Sequence, residues 1–367
     1  MHDVFTSESV CSGHPDKICD QIGDAIVDEI LRQDKYGRVA VETLVTYNRI
    51  IIAGEVTAKA GVDYREVASR EIRRLGYINE DLNFSFRSPI KIYIHTQSPD
   101  IARGVKMKGA GDQGMMFGYA CRETKELMPL PIILAHRLAK KLDEVREKKI
   151  LTYLRPDGKT QATIDYKNGK PLRVISVILA APHSESVKLE QVKQDLFRLV
   201  VTPVLREYGF EIKEKDLVLN GTGVWHKSGP ASDTGVTGRK IIVDGYGGYA
   251  RAGGGCFSGK DPTKVDRSGA YAARFLAKNI VAHGLADKAE VMLAYFIGGK
   301  RPVMQEIEAF GTSKVSKRAM NDFCQKLLDT SVEGILTGLD LRRPIYLPTA
   351  AYGHFGREEF PWEKIKD

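Results

Sequence analysis

Isoleucines recur every four residues near the N-terminus, at Ile18, Ile22, Ile26 and Ile30. This spacing places them on one face of a helix, so the pattern predicts an amphipathic helix over residues 18–34. Pro15 lies just before it, at a position where proline suits a helix start. The pattern of apolar residues predicts further helices over residues 63–75, 131–148, 187–207, 268–283 and 316–329.

Short apolar runs predict strands between these helices. Two strands, VAVETLV and IIIAGEVT, are predicted within residues 39–58, and a hairpin over residues 160–181 has its turn at 168-NGK-170. Single strands are predicted over residues 90–95, Lys240–Asp244 and 290–297. Because helices and strands do not alternate steadily, the order favours an α+β architecture over a doubly wound parallel sheet.

The 367 residues are enough for two or three domains, and 43% of them are hydrophobic. No apolar run reaches the roughly 18 residues that a membrane span needs. The N-terminal residues lack the basic and apolar stretches of a secretory signal, so we expect a cytoplasmic protein. The five cysteines are odd in number and include no C-x-x-C pair, which argues against a disulfide framework and a thiolate zinc site.

The formal net charge of +8 suits nucleic acid, a membrane surface or a small polyanion such as a nucleoside triphosphate. Acids and bases are mixed along the chain, and basic runs such as 146-REKK-149 are short. There is no RNP-like or zinc-finger pattern. We therefore expect no nucleic-acid or membrane partner, and the cations of interest are those that lie among glycines and aspartates.

The segment 13-GHPDK-17 lies directly before the first predicted helix. A helix start presents free N–H groups and the positive end of a dipole, which suits an anion. His14 can donate to a phosphate oxygen, Asp16 can hold Mg²⁺, and Lys17 can neutralise charge. The alternative is that Asp16 merely favours the first helical turn and that His14 lies on the surface.

A glycine-rich loop spans residues 245–261, and Gly254, Gly259 and Lys260 fit the G-x-x-x-x-G-K part of a P-loop. Asp261 follows where a P-loop needs Ser or Thr, and Pro262 delays the next helix, so a true P-loop is rejected. The backbone can still wrap a phosphate chain. Seven glycines and three cations within residues 245–264 exceed what a surface turn requires.

Three shorter segments have the same character. Arg239 and Lys240 in 238-GRK-240 can bind phosphate oxygens, with Asp233 upstream. The segments 111-GDQG-114 and 157-DGK-159 are also polar and glycine-containing, although each alone is typical of an ordinary turn. A phosphate site requires these dispersed loops to converge on one ligand.

Several strings then identify a family resemblance: FTSESVCSGHPDK, GAGDQGMMFGYA, TGRKIIVDGYGG, GGGCFSGKDPTKVDRSGAYAARFLAKNIV and AAYGHFGREEFPWE. From Phe5 to about Glu363 the chain resembles S-adenosylmethionine synthetases. The resemblance implies three similar α+β domains around a pseudo-threefold axis, in homodimers or homotetramers whose active sites lie between subunits. The implied boundaries are 1–99, a lid loop at 100–114, 115–227 and 228–367.

The resemblance also implies the reaction. The sulfur of methionine displaces triphosphate from C5′ of ATP, and the triphosphate is then cleaved to phosphate and pyrophosphate. A phosphotransferase or ATPase is the alternative, and it would cleave ATP without methionine. A non-catalytic basic protein that binds nucleic acid would instead show a steep salt dependence.

The resemblance assigns site residues by position. Two Mg²⁺ ions are expected at Asp16 and Asp266, and K⁺ at Glu42. Methionine is expected at Glu55, Gln97, Asp233 and Lys264, and Asp112 and Lys17 also line the site. The catalytic residues are expected to be His14, Lys159, Arg239 and Lys260. The residues expected to bind ATP are His14, Asp157, Lys159, Trp225, Asp233, Arg239, Lys240, Cys256 and Lys260.

Three positions depart from the family pattern. The lid between Gln97 and GAGDQG is shorter than is usual in the family. Val224-Trp225 stands where many members have Arg-Phe, so Trp225 can stack on adenine but one cation is missing. Cys256 replaces a common alanine, and a thiol there could confer sensitivity to oxidants.

Overall fold

The computed structural model describes residues 3–96 and 109–366, which form eleven strands and nine α-helices. The strands are β1 Val4–Val10, β2 Arg38–Thr46, β3 Arg49–Thr57, β4 Ile90–His95, β5 Gly114–Cys121, β6 Lys159–Lys167, β7 Lys170–Ala180, β8 Leu217–Leu219, β9 Gly235–Val236, β10 Lys288–Tyr295 and β11 Met304–Glu308. The helices are α1 Pro15–Gln33, α2 Tyr64–Arg74, α3 Leu130–Glu147, α4 Leu189–Leu196, α5 Thr202–Glu207, α6 Ile241–Asp244, α7 Val265–Ala282, α8 Lys317–Leu327 and α9 Val332–Gly338.

The strands form three sheets, and each sheet includes a strand from a distant part of the sequence. The orders are β1-β6-β7-β8, β11-β10-β5 and β4-β3-β2-β9. β1 pairs antiparallel with β6, β5 with β10, and β9 with β2. Strands are therefore exchanged between the N-terminal, central and C-terminal parts of the chain.

One long helix packs on each sheet: α1 on β2, α3 on β1 and β6, and α7 on β5 and β10. The sheet β1-β6-β7-β8 and α3 share one buried apolar cluster. The other two sheets share a second cluster with α1 and α7. This repeated helix-on-sheet arrangement confirms the predicted α+β fold of three similar domains. Within the part of the chain described here, no helix is long and apolar enough to cross a bilayer.

The first predicted helix is confirmed, and it begins earlier than expected, at Pro15. All four isoleucines of its stripe are fully buried. His14 caps the helix: its backbone is extended, and its Nδ1 accepts a hydrogen bond from the Asp16 N–H at 3.2 Å. This bond satisfies one of the free amides at the helix start.

One prediction of secondary structure was wrong. Lys240–Asp244 was expected to be a strand, but Ile241–Asp244 forms one helical turn, closed by a bond from Asp244 N to Lys240 O. Tertiary contacts override the β-propensity of the Ile-Ile-Val run, because Asp244 binds the buried Lys17. The helix predicted over residues 187–207 is confirmed over residues 189–207, and it contains a π-helical turn at Phe197–Val201. Pro203 follows this turn, and its ring cannot follow a regular helical turn without a clash.

Candidate active site

The start of α1 presents a buried histidine, His14, within the electrostatic influence of three lysines, Lys240, Lys159 and Lys17. His14 is only 1% exposed, and burial together with the Lys240 charge lowers its pKa to about 3. The ring is therefore neutral near pH 7. Because Nδ1 accepts the Asp16 amide, we assign the proton to Nε2, which has no hydrogen-bond partner among the described residues.

Asp16, in the first turn of α1, binds two residues of 238-GRK-240. Its Oδ2 lies 2.6 Å from Lys240 Nζ, and its Oδ1 lies 3.7 Å from Arg239 Nε. Oδ1 also accepts the Val236 amide at 2.9 Å. Burial opposes ionisation of Asp16, but the Lys240 hydrogen bond prevails and the pKa is lowered. The structure thus brings His14, Asp16, Arg239 and Lys240 into one group, which we call the histidine cluster.

Three further aspartates follow Asp16 along α1 at intervals of four residues. Each accepts backbone N–H groups from the C-terminal half of the chain. Asp20 binds the Gly238 amide, Asp24 binds the Gly259 amide, and Asp28 binds the amides of Tyr346 and Leu347, all at 2.9 Å. One face of α1 therefore fixes the backbone at Gly238, in 238-GRK-240, and at Gly259, in the glycine-rich loop.

A second group, which we call the lysine cluster, consists of Glu42, Cys256, Lys260 and Asp266. Lys260 Nζ lies 2.6 Å from Asp266 Oδ2. Burial opposes protonation of Lys260, but its interactions with neighbouring groups, including the hydrogen bond to Asp266, prevail and its pKa is raised. Desolvation raises the pKa of Glu42 on β2, against the lowering influence of Lys260. Burial also raises the pKa of the half-buried Cys256 thiol.

The backbone around Lys260 is held from several sides. The Lys260 carbonyl accepts a bond from Arg267 Nη1 at 3.0 Å, and the Gly259 carbonyl accepts the Val41 amide at 2.9 Å. The fully buried Asp261 accepts bonds from the Val39 amide and from Thr263, and it pairs with Lys264 at 2.5 Å. The Asp261 carboxylate thus organises the backbone of the loop.

The loop 157-DGK-159 interacts electrostatically with the histidine cluster. Asp157 is buried and accepts the amides of Gly158 and Gly229, at 2.7 and 3.0 Å. Burial raises its pKa to about 6. The Lys159 charge helps to lower the pKa of His14, and the Asp233 charge helps to raise that of Asp157.

Other expected site residues lie outside the two clusters. Trp225 is half-buried: its Nε1 donates to the Lys227 carbonyl at 2.7 Å, and its carbonyl accepts the His183 amide. Glu55 at the end of β3 faces His95 at 3.2 Å. Asp112 is exposed and accepts the amide of its neighbour Gln113. Gln97 and positions 100–108 of the lid loop expected at residues 100–114 lie outside the described residues.

Lys17 is buried between α1 and α6. It is 1% exposed and bonds Asp20 at 2.9 Å and Asp244 at 2.5 Å. Burial opposes its charge, but the two carboxylates raise its pKa. The ion pair with Asp244 ties α1 to α6, and the Lys17 charge also contributes to lowering the pKa of His14.

The carboxylates fit a metal that is shared with a phosphate chain. Mg²⁺ is usually held by one or two carboxylates together with substrate phosphates. Asp16 and Asp266 each supply a carboxylate next to a lysine, and carboxylate oxygens have further lone pairs to offer. Within residues 3–96 and 109–366, no group of three or more His, Cys, Asp or Glu is arranged to hold a metal ion. Glu42 likewise offers a single carboxylate, which suits K⁺ as one of several oxygen ligands.

Sequence reasoning missed the residues that support the site, namely Asp20, Asp24 and Arg267. The four-residue spacing of the aspartates was visible in the sequence beside the isoleucine stripe. Their acceptance of distant amides had no signal in the sequence, because their partners lie more than 200 residues away.

Comparisons with known proteins agree across the whole chain. Models of the N-terminal, central and C-terminal domains of S-adenosylmethionine synthetase match residues 2–99, 107–225 and 227–364. An S-adenosylmethionine synthase from Clostridium tetani (strain Massachusetts / E88) is 48% identical over 382 aligned residues, which cover 100% of this chain and 97% of that protein.

Proposed function

The chain belongs to the S-adenosylmethionine synthetase family, and from that premise we propose how it makes S-adenosylmethionine. The methionine sulfur attacks C5′ of ATP in line with the bond to the triphosphate, and the triphosphate leaves and is cleaved to phosphate and pyrophosphate. The sulfur gains positive charge and the leaving oxygen gains negative charge. No covalent intermediate with the enzyme is required.

The observation that carries the proposal is the buried Nε2 of His14, which has no hydrogen-bond partner among the described residues and to which we assign the ring proton. A neutral buried imidazole with an unpaired N–H can donate to the leaving oxygen as negative charge develops there. It does not add a fixed positive charge, and it needs no proton transfer before the bond breaks. His14 therefore acts as a hydrogen-bond donor and not as a base toward methionine.

The cations of the two clusters bind the triphosphate. Lys240 and Lys260 each neutralise a carboxylate at 2.6 Å in the structure. When a phosphate chain with its metal enters, each lysine can turn to phosphate while its aspartate turns to the metal. The charge of each pair is thus already balanced before binding. Arg239 and Lys159 add further positive charge.

Asp16 and Asp266 would hold Mg²⁺, and Glu42 would hold K⁺. Bound Mg²⁺ would stabilise the negative charge that develops on the phosphate oxygens. Glu55, Asp233, Lys264 and Gln97 are assigned to methionine. Trp225 offers an aromatic face for adenine.

The family resemblance implies a homodimer or a homotetramer, and we propose the same for this chain. Within the described chain the two clusters are neighbours, because Gly238, next to Arg239, is bound to Asp20 and packs against Cys256. A second copy can present its lysine cluster to the histidine cluster of the first. The proposal therefore places each active site at the contact between two subunits.

The test measures phosphate and pyrophosphate release from ATP, with Mg²⁺ and K⁺, with and without methionine. S-Adenosylmethionine is followed by mass spectrometry in the same samples. The proposal expects both ions to appear only with methionine and in equal amounts with the product. Release without methionine, and without a sulfonium product, would favour the phosphotransferase alternative.

A further inference from the structure

Tyr77 lies where three segments of the proposed phosphate site meet, although no motif in the sequence marks it. It is 1% exposed and follows α2 at a short turn. Its hydroxyl donates to the Gly13 carbonyl at 2.6 Å. Gly13 directly precedes His14, so this bond acts on the backbone that carries the histidine.

The second segment that reaches Tyr77 contains Gly229. A Cβ atom at Gly229 would lie 2.5 Å from the Tyr77 hydroxyl and 2.7 Å from its Cε1, so the glycine backbone packs directly on the ring edge. The Gly229 φ is +79°, a conformation that favours glycine. The chain continues from Gly229 to Asp233, Arg239 and Lys240.

The third segment contains Asp157. Asp157 accepts the Gly229 amide at 3.0 Å, and its charge contributes to the environment of the Tyr77 hydroxyl. Its neighbour Pro156 packs against Gly13, where a Cβ atom would lie 2.3 Å from the Pro156 carbonyl oxygen. Segments 13–17, 156–159 and 229–240 therefore converge on one buried tyrosine.

The peptide between Gly13 and His14 is held at both ends. Its C=O accepts the Tyr77 hydroxyl, and its N–H donates to the Cys11 carbonyl at 3.1 Å. The His14 ring is then oriented by the bond from the Asp16 amide. With the peptide and Nδ1 both fixed, the direction of Nε2 is fixed as well.

We propose that Tyr77 is a positioning residue, which sets the direction of the His14 Nε2–H through the Gly13 carbonyl and holds the three phosphate-binding segments together. The inference rests on the proposed function and extends that function with a residue that touches no substrate. A displacement of about 1 Å in a reacting group can lower a rate by about 100-fold. The hydroxyl of Tyr77 can therefore matter for turnover far more than for folding.

The test compares two conservative variants, Tyr77→Phe and Tyr295→Phe. Tyr295 is a matched control, because it is 3% exposed and its hydroxyl also donates to a backbone carbonyl, that of Thr330, at 2.7 Å. Both variants lose one buried hydrogen bond, so we expect similar decreases in melting temperature. Only Tyr77→Phe should lower kcat, by roughly tenfold, as expected from a small shift of the donor. The KM for methionine should not change.

A double-mutant cycle with Gly229→Ala provides the second readout. Gly229→Ala pushes a methyl group against the hydroxyl and ring edge of Tyr77 and so displaces the hydroxyl from the Gly13 carbonyl, and Tyr77→Phe removes the same hydroxyl. We expect the kcat loss of the double variant to be smaller than the two single losses combined. Additive losses, or equal kcat values for Tyr77→Phe and Tyr295→Phe, would overturn the positioning role and leave the proposed function intact. A parent chain that makes no S-adenosylmethionine would overturn both.

Discussion

Asp24 binds Arg267 through two parallel hydrogen bonds of 2.6 and 2.8 Å, and neither side chain is exposed to solvent. The pair connects α1 to α7. Asp24 also holds the Gly259 amide, and Arg267 holds the Lys260 carbonyl. A fully buried ion pair thus fixes the backbone of the lysine that the proposed reaction needs.

We expect Asp24→Asn to destabilise the protein strongly. The substitution leaves the Arg267 guanidinium buried without its counter-charge, which typically costs about 3–5 kcal/mol. Urea denaturation measures this loss in free energy of unfolding. Glu211→Gln is the control, because Glu211 pairs with Arg206 on the exposed surface, and it should leave the unfolding midpoint unchanged. Equal midpoints for the two variants would contradict a role for the buried pair.

Lys260→Ala should slow turnover with ATP. Loss of one preorganised charge contact to the triphosphate should raise the barrier by about 2 kcal/mol or more, which is roughly 30-fold in kcat. Steady-state kinetics of S-adenosylmethionine formation measure the effect. Lys314→Ala removes an exposed lysine that pairs with Asp287, and it should keep the parent kcat. Unchanged kinetics for Lys260→Ala would remove Lys260 from the site.

His14→Asn separates the two roles of His14. Asparagine is a favoured helix cap, so the start of α1 and the melting temperature should be kept. The shorter side chain cannot place a donor where Nε2 lies, and kcat should fall by about 100-fold, as for loss of a donor to a developing charge. Circular dichroism and steady-state kinetics check the two parts. A variant with the parent kcat would show that the Nε2–H is not used.

Two buried histidines predict acid instability. Burial lowers the pKa of His136 to about 3, and that of His354 well below the ordinary 6.5. Unfolded chains bind protons at these groups below pH 6.5, while the folded protein does not. Their contribution to stability is therefore present above pH 6.5 and is lost as the pH falls toward 3.

The measurement is the free energy of unfolding between pH 7 and 4. Each histidine should contribute a slope of up to about 1.4 kcal/mol per pH unit. His136→Gln should flatten the curve, whereas His95→Gln, at a side chain that is 68% exposed, serves as the control. Identical slopes for His136→Gln and the parent chain would refute the assignment.

Cys256 should react slowly with alkylating agents. Burial raises the pKa of its thiol, so little thiolate is present at pH 7. Mass spectrometry after iodoacetamide treatment should find less modification at Cys256 than on a free cysteine under the same conditions. Cys256→Ala should keep kcat and should not change the rate of inactivation by peroxide. Protection from peroxide in this variant would instead support the oxidant sensitivity considered from sequence.

The isoleucine stripe shows what local sequence can predict here. Ile18 and the other isoleucines of the stripe lie at helical spacing. Their burial can be predicted without knowing which element of the fold covers them. The prediction of a strand at Lys240–Asp244 failed because Lys17 and Asp20 of α1 control that segment across more than 200 positions. The roles of polar groups such as Tyr77 depend on which distant carbonyl they meet, and periodicity carries no such information.

The exchange of strands and the aspartates of α1 also bear on how this chain is made. A ribosome releases the N-terminus first. Yet β1 can pair with β6 only after Asp165, the partner of Val4, has been made. Asp28 can accept its two hydrogen bonds only after Tyr346 and Leu347 have been made. The first helix therefore gains these partners only after more than 300 further residues have been made. A nascent chain halted before Tyr346 would expose an incompletely paired helix to chaperones and proteases.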